Sequence, residues 1–202
     1  MIVKLLTSTQ TLHDMEYNAA LAALTCHANT DKEFVPSEVL TRIIKSGHES
    51  ILEHINLTYS IQGLSRACLQ ELARHRHISL SVESTRHTLK KSIGSPDKLG
   101  HLYDTVPQKF HETLRETLRF TFTTSELSND ELKYYLPEFW PTNLILTTNI
   151  RELRHILNLR TAPEALKEFR VLAHSMFEVV PDEYKYLLKD CVREEDEHDI
   201  QP

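Results

Sequence analysis

From Ile55 to Gln62 the chain alternates strictly: Ile55, Leu57, Tyr59 and Ile61 are set against Asn56, Thr58, Ser60 and Gln62. This is the period of a half-buried β-strand. Gly63 is expected to break it, and Ser65 then stands where it can cap a helix running to about His75. Alternation returns at Ile78, Leu80 and Val82 and predicts an extended segment. The N-terminal run Met1 to Thr9 reads as a first strand, and residues 143–150 as a strand or the lead-in to a helix. Most of the remainder has helical spacing. Leu12, Met15, Ala19, Leu21 and Ala22 predict a helix over 11–27. Pro36 opens another, striped by Val39, Leu40, Ile43 and Ile44 and stopped by Gly47. A helix is expected over 107–126, and Ser128 with Glu131 has the spacing of a capping box for a short helix ending before Pro137. Leu153, Ile156 and Leu157 stripe residues 150–159. Pro163 sits at a typical helix start, and an apolar stripe from Leu166 to Phe177 runs on to about residue 180, where Pro181 ends it. Residues 88–101 are polar, contain turn formers and predict a loop. The pattern sums to an α+β domain with helices in the majority, without repeats or an interdomain linker. Residues 1–192 form the expected domain, and 193–202 an acidic tail with the composition of a disordered segment.

Bulk composition narrows the function. The 202 residues suit one domain, and the 40% hydrophobic content supplies a core. No run approaches the roughly 18 apolar residues of a membrane span, and the N-terminus turns polar too soon for a signal peptide. Cys26, Cys68 and Cys191 form no CxxC and leave an odd thiol, which favours a reducing cytosol; Cys68 reads as a small core residue. Gly47, Gly63, Gly94 and Gly100 cannot assemble a dinucleotide fingerprint or a P-loop. A nucleotide or flavin would need another architecture. The formal net charge of -6 is the wrong sign for a surface that binds nucleic acid.

Against that acidic background, residues 74–86 place Arg74, His75, Arg76 and His77 ahead of three serines and a threonine, with Arg86 last. Such cations suit a compact anion, since arginine's planar fork grips phosphate bidentately. Within the helix expected to run to about His75, Glu71 lies three residues before Arg74, on the same face. Gly47-His48-Glu49 to His54 invites a zinc reading, but on an α-helix two histidines six residues apart diverge, so no metal is expected. Arg151 and His155 share a polar face, whereas Arg160, seven residues after Leu153, continues the apolar stripe. A permanent charge there needs a partner or a ligand, which marks Arg160 as a functional candidate; a C-terminal arginine complementing the helix dipole is the alternative.

Arg74-His75-Arg76, seven residues and Ser84 resemble the RHR-x7-S signature of the flavin-dependent thymidylate synthases, with Arg86 where that family has a further arginine. Gly47 to His54, the pattern Asn149, Arg151, Asn158-Leu159-Arg160, and Lys133 before Leu136-Pro137 resemble its other blocks. The resemblance implies a central, mostly antiparallel sheet and a non-Rossmann flavin site at subunit interfaces of a homotetramer. It implies reductive methylation of dUMP to dTMP, with FAD as hydride carrier and NADPH and methylenetetrahydrofolate as co-substrates, in the cytoplasm. Glu71, Leu72, Ala73 and Arg74, then Val82, Glu83, Ser84, Thr85 and Arg86, with Lys133 and Arg160, would meet dUMP. Ser50, Glu53, Arg74, His75, Arg76, Val82, Asn149, Ile150, Arg151 and His155 would meet FAD, and Arg160 would stabilise charge on the uracil ring. Ser81, Val82 and His87 depart from the family's Asn, Glu and Tyr. Two other readings stay open: an inactive paralogue, and a nucleotide- or RNA-binding module using the run as a phosphate clamp. No aromatic ring lies inside the run to stack on bases, which speaks against the module.

Overall fold

A computed structural model describes residues 1–29, 33–94, 96–124 and 126–193. In chain order it contains β1 (Ile2–Leu5), α1 (Thr9–Thr25), α2 (Pro36–Lys45), a 3-10 helix (Glu49–His54), β2 (Asn56–Ser65), α3 (Arg66–Leu72), β3 (Ile78–Val82), α4 (Thr85–Ile93) and α5 (Pro96–Thr105). There follow a 3-10 helix (Gln108–Phe110), α6 (His111–Thr123), α7 (Asn129–Leu132), a 3-10 helix (Lys133–Tyr135), β4 (Pro141–Asn149), α8 (Ile150–Arg160), α9 (Lys167–Glu178) and 3-10 helices at Asp182–Leu187 and Lys189–Cys191. The strands form one antiparallel sheet in the order β1-β2-β4-β3. On β2 and β4, Thr58 meets Thr147 through their hydroxyls and Gly63 meets Asn143, a pairing in which one number rises as the other falls. The α+β expectation holds. The expected acidic tail lies, past Arg193, outside the described residues.

The chain forms two compact units, one of residues 1–2, 61–73 and 81–144, the other of 3–60, 74–80 and 145 onward. The first is built around Leu89, Ile93, Leu102, Val106, Leu114, Leu118, Leu132 and Trp140. Each such side chain contributes roughly 1.5–3 kcal/mol by leaving water. Here the loop expected over 88–101 is corrected: α4 and α5 occupy it. Their polar residues mask a sparse apolar face, and Pro96 takes the first position of α5, where its missing N–H costs nothing. The capping box at Ser128 and Glu131 is present as expected. β2 also differs from expectation, because it continues past Gly63 to Ser65. Gly63 adopts φ +75° and gives its N–H to Asn143 Oδ1. A Cβ there would lie 2.9 Å from Thr105 Cγ2, so only glycine lets the strand turn through this point.

In the second unit α1 packs on α2, and α8 packs on α9 and on the 3-10 helix Glu49–His54. Ala19, Ala20 and Ala23 keep one side of α1 small and buried. Leu153, Ile156 and Leu157 from α8 are buried, as are Phe169, Leu172, Ala173 and Met176 from α9, so both predicted stripes face inward. α9 begins at Lys167, later than Pro163 would place it. The helix expected from Ser65 to His75 is shorter than predicted. Ser65 caps α3 as expected, but the helix ends at Leu72. The His75 ring is instead held by the Glu152 carboxylate, 77 positions away in sequence. Arg74 therefore lies beyond the helix, and the same-face pairing expected of it with Glu71 does not apply.

Candidate functional site

Helix α8 organises the second unit's site. Asn149 caps it, its Oδ1 accepting from the Glu152 N–H at 2.8 Å. Successive positions then point three ways. Arg151, His155 and Asn158 are exposed and line an open cleft of about 570 Å³ with Glu49, Glu53 and His77. Across it Arg151 Nη1 donates to Glu53 Oε1 at 2.6 Å. Arg154 turns inward, 5% exposed, and donates to Glu49, to both oxygens of Asp190 and to the Leu187 carbonyl. Cys191 also borders the cleft, but burial pushes its thiol up to about 11, so it is no thiolate nucleophile near neutral pH.

The third direction carries the charges on the apolar stripe. Glu152 and His75 are both buried, with Glu152 Oε1 3.0 Å from His75 Nδ1. Arg160 Nε donates to the opposite ring nitrogen, His75 Nε2, at 3.3 Å, and its guanidinium lies 4.6 Å over the Phe169 ring. Arg160 faces a cleft of about 320 Å³ that also takes in Arg74, Arg76, His77 and Leu159. Burial holds the His75 pKa below its ordinary value; the Glu152 bond raises it and Arg160 lowers it further. The ring is therefore neutral at pH 7, with Nδ1–H donating to Glu152 and Nε2 accepting from Arg160. His75, Glu152 and His155 bring ligand-type atoms within 4.8 Å of one another. With both His75 nitrogens engaged and a guanidinium at one of them, the cluster is poorly suited to a cation. His48 and His54 do not lie along an α-helix as supposed: His54 ends a 3-10 helix that His48 precedes.

The first unit holds the serine-threonine part of the signature. Ser84 precedes α4 as its N-cap residue, exposed, with no side-chain capping bond, and Thr85 is buried behind it. Arg86 forms a bidentate pair with Asp130 on α7, at 2.6 and 2.9 Å. Glu83 accepts from Asn143 Nδ2 at 2.7 Å, while Val82, His87 and Lys133 are exposed. The predicted residues thus divide. Glu71 to Ala73, Val82 to Arg86 and Lys133 belong to this unit, and the others, Arg74 and Arg160 included, to the second. Leu72 and Ile150 are buried in the core, and the Ile150 N–H donates to the Ile55 carbonyl at 2.9 Å. Sequence reasoning passed over Glu152, Arg154 and Asp130. For Glu152 a signal existed: spaced four and eight residues before Ile156 and Arg160, it stands on the same buried stripe.

Residues 4–184 match the family described as thymidylate synthase complementing protein. Among curated proteins, the chain is similar to the flavin-dependent thymidylate synthase of Campylobacter jejuni strain RM1221, with 39% identity over 186 residues, 84% of this chain and 85% of the relative. It is also similar to that of Wolinella succinogenes, with 42% identity over 166 residues, 75% of this chain and 78% of the relative. Among solved structures, thymidylate synthase X from Helicobacter pylori with FAD and dUMP superposes with a TM-score of 0.81 at 30% identity, covering 96% of this chain and all of that one.

Proposed function

The chain belongs to the flavin-dependent thymidylate synthase family, and from that premise we infer how its own residues divide the work. The protein is a thymidylate synthase that methylates dUMP to dTMP, with methylenetetrahydrofolate as carbon donor, FAD as hydride carrier and NADPH as reductant. Bound flavin supplies the hydride chemistry, and the protein supplies position and charge.

The flavin site is the cleft at the N-terminus of α8. Its donors suit an anionic, hydrogen-bonding cofactor: Arg151, His155 and His77 border it, and the helix start favours a pyrophosphate. Asn149, Arg151 and His155 hold the cofactor from this side, with Arg74, Arg76 and, from the 3-10 helix, Ser50 and Glu53. His75 has committed both ring nitrogens, so it presents only ring carbons and backbone. The rim residues Glu53, Arg151 and His155 are exposed, which supports closure of the cleft by neighbouring copies in a homotetramer. The Val82 backbone serves both ligands.

For dUMP, the Arg86 fork, the Ser84 hydroxyl and the Thr85 N–H take the phosphate, with Arg74 and Lys133 adding positive charge. Glu71, Glu83 and the Ala73 backbone fix the nucleoside. To act as a nucleophile C5 needs an electron-rich ring, with negative charge on the uracil carbonyls and N3, and that charge leaves the ring as C5 bonds to the one-carbon unit. Arg160 stabilises that charge, and the observation that carries the assignment is its position: a guanidinium on a buried stripe, braced by His75 and Phe169, facing a cleft. Residues 1–192 constitute the catalytic domain, and its place is the cytoplasm; no helix among the described residues is long and apolar enough to cross a membrane.

Anaerobic conversion of dUMP to dTMP, followed by chromatography with FAD or NADPH omitted in turn, tests the activity. Arg160→Ala should lower turnover roughly 10²- to 10³-fold, the usual cost of removing one such donor. Loss of flavin with full turnover per remaining flavin would refute the role given to Arg160.

A further inference from the structure

Glu152 has no part in the family resemblance, yet it is a buried carboxylate at the head of a chain of contacts ending at Arg160. We propose that Glu152 is a positioning residue: through the His75 ring it fixes the Arg160 guanidinium toward the cleft where the uracil reacts. This rests on the role given to Arg160 above.

Imidazole has two neutral tautomers, and only one can accept from Arg160. With the proton on Nδ1 it goes to the Glu152 carboxylate, 3.0 Å away, and Nε2 keeps the lone pair that meets Arg160 Nε–H at 3.3 Å. With the proton on Nε2, two N–H groups would point at each other and Glu152 would face a bare nitrogen. The carboxylate selects the first arrangement, because an acceptor-only group can pair only with a protonated Nδ1. Phe169 completes the brace. It stacks under the guanidinium at 4.6 Å and meets the His75 ring edge-on at 5.9 Å, so ring and guanidinium share one aromatic floor. The groups facing His75 are Glu152, His155 and Arg160 from α8 and the apolar Phe169 from α9. Arg160 thus enters the reaction with part of its rotamer freedom already removed, and the ordering need not be met by substrate binding. An imidazolium would undo this arrangement, since it offers no acceptor and sets a second cation against the guanidinium. Turnover should therefore decline when acid protonates His75.

The test compares FAD-loaded wild-type and Glu152→Gln enzyme, with His75→Gln used to assign the ring signals. In wild-type enzyme labelled with ¹⁵N-histidine, His75 should carry its proton on Nδ1 at pH 7.5. In Glu152→Gln that preference should be lost, because an amide can pair with either tautomer, and dTMP formed per bound flavin should fall roughly ten- to a hundredfold, the size of loss seen when carboxylates that orient metal-ligating histidines are removed. Full turnover per flavin in Glu152→Gln, or a wild-type His75 with its proton on Nε2, overturns the proposal. If the variant does not fold, the wild-type tautomer decides alone. Arg160→Ala with undiminished turnover removes instead the reading on which Arg160 acts, and leaves the tautomer prediction standing.

Discussion

Replacing Arg154 with methionine keeps most of the side chain's length and removes only the guanidinium. That group is 5% exposed and makes four bonds: one to Glu49, two to Asp190 at 2.6 and 2.7 Å, and one to the Leu187 carbonyl at 2.6 Å. Its removal strands two carboxylates and a carbonyl. Breaking one side of a buried charge network costs about 3–5 kcal/mol. The Asp190 side chain is 50% exposed and Glu49 33%, so water recovers part of the loss. A cost of about 2–4 kcal/mol remains, which for a chain of this size lowers Tm by roughly 4–16 °C. The assay is a thermal melt of FAD-free protein at one fixed concentration, because bound flavin or association would shift Tm by mass action. Adding Glu49→Gln and Asp190→Asn to Arg154→Met should recover part of the stability, since the stranded charges go with the cation. A drop of less than about 2 °C in the single variant, or a further drop in the triple variant, would refute the reasoning.

Asp130→Asn should lower the KM for dUMP by a modest few-fold, because the carboxylate occupies the fork of Arg86 that a phosphate must take, and exposed pairs are weak enough to be displaced; steady-state kinetics showing a raised KM would instead make Asp130 a support for Arg86. Gly63→Ala should cost about 1–3 kcal/mol, read as a lower urea midpoint at unchanged slope, since φ is +75° and the new methyl meets Thr105 at 2.9 Å. Acid should destabilise the fold through His75, whose folded pKa lies below its unfolded value. The neutral ring's contribution is full above the unfolded pKa of about 6.5 and is lost as pH falls through the folded value. Melts from pH 8 to pH 5 should show Tm declining below about pH 6.5, and His75→Gln should flatten that decline.

The parts of the fold legible in the sequence are those where local chemistry and tertiary demand agree. β2 announces itself because its alternation faces a core directly, and Ser128 with Glu131 because a capping box closes within four residues. α4 and α5 escaped because their buried apolar positions, Leu89, Ile93 and Leu102, are sparse and divided by Gly94 and Pro96. Arg160 was legible as a charge on an apolar stripe. Arg154 was not, because its partners Glu49 and Asp190 lie 105 and 36 positions away, and no local pattern reports so distant a partner. The resemblance named residues in both units, and geometry added what it lacked, the carboxylate behind His75 and the one on Arg86.

Helix α8 carries three kinds of residue on three sides: Arg151 and His155 toward the large cleft, Arg154 into its ion network, Glu152 and Arg160 toward His75. Each residue of an α-helix advances the direction of its side chain by about 100°. A single insertion or deletion between Asn149 and Arg160 would turn every later position onto a neighbour's side and send the wrong group to the wrong task. Relatives that keep this site must therefore keep the helix's residue count as well as the groups on its three sides. Length, as much as composition, is the inheritance this segment has to protect.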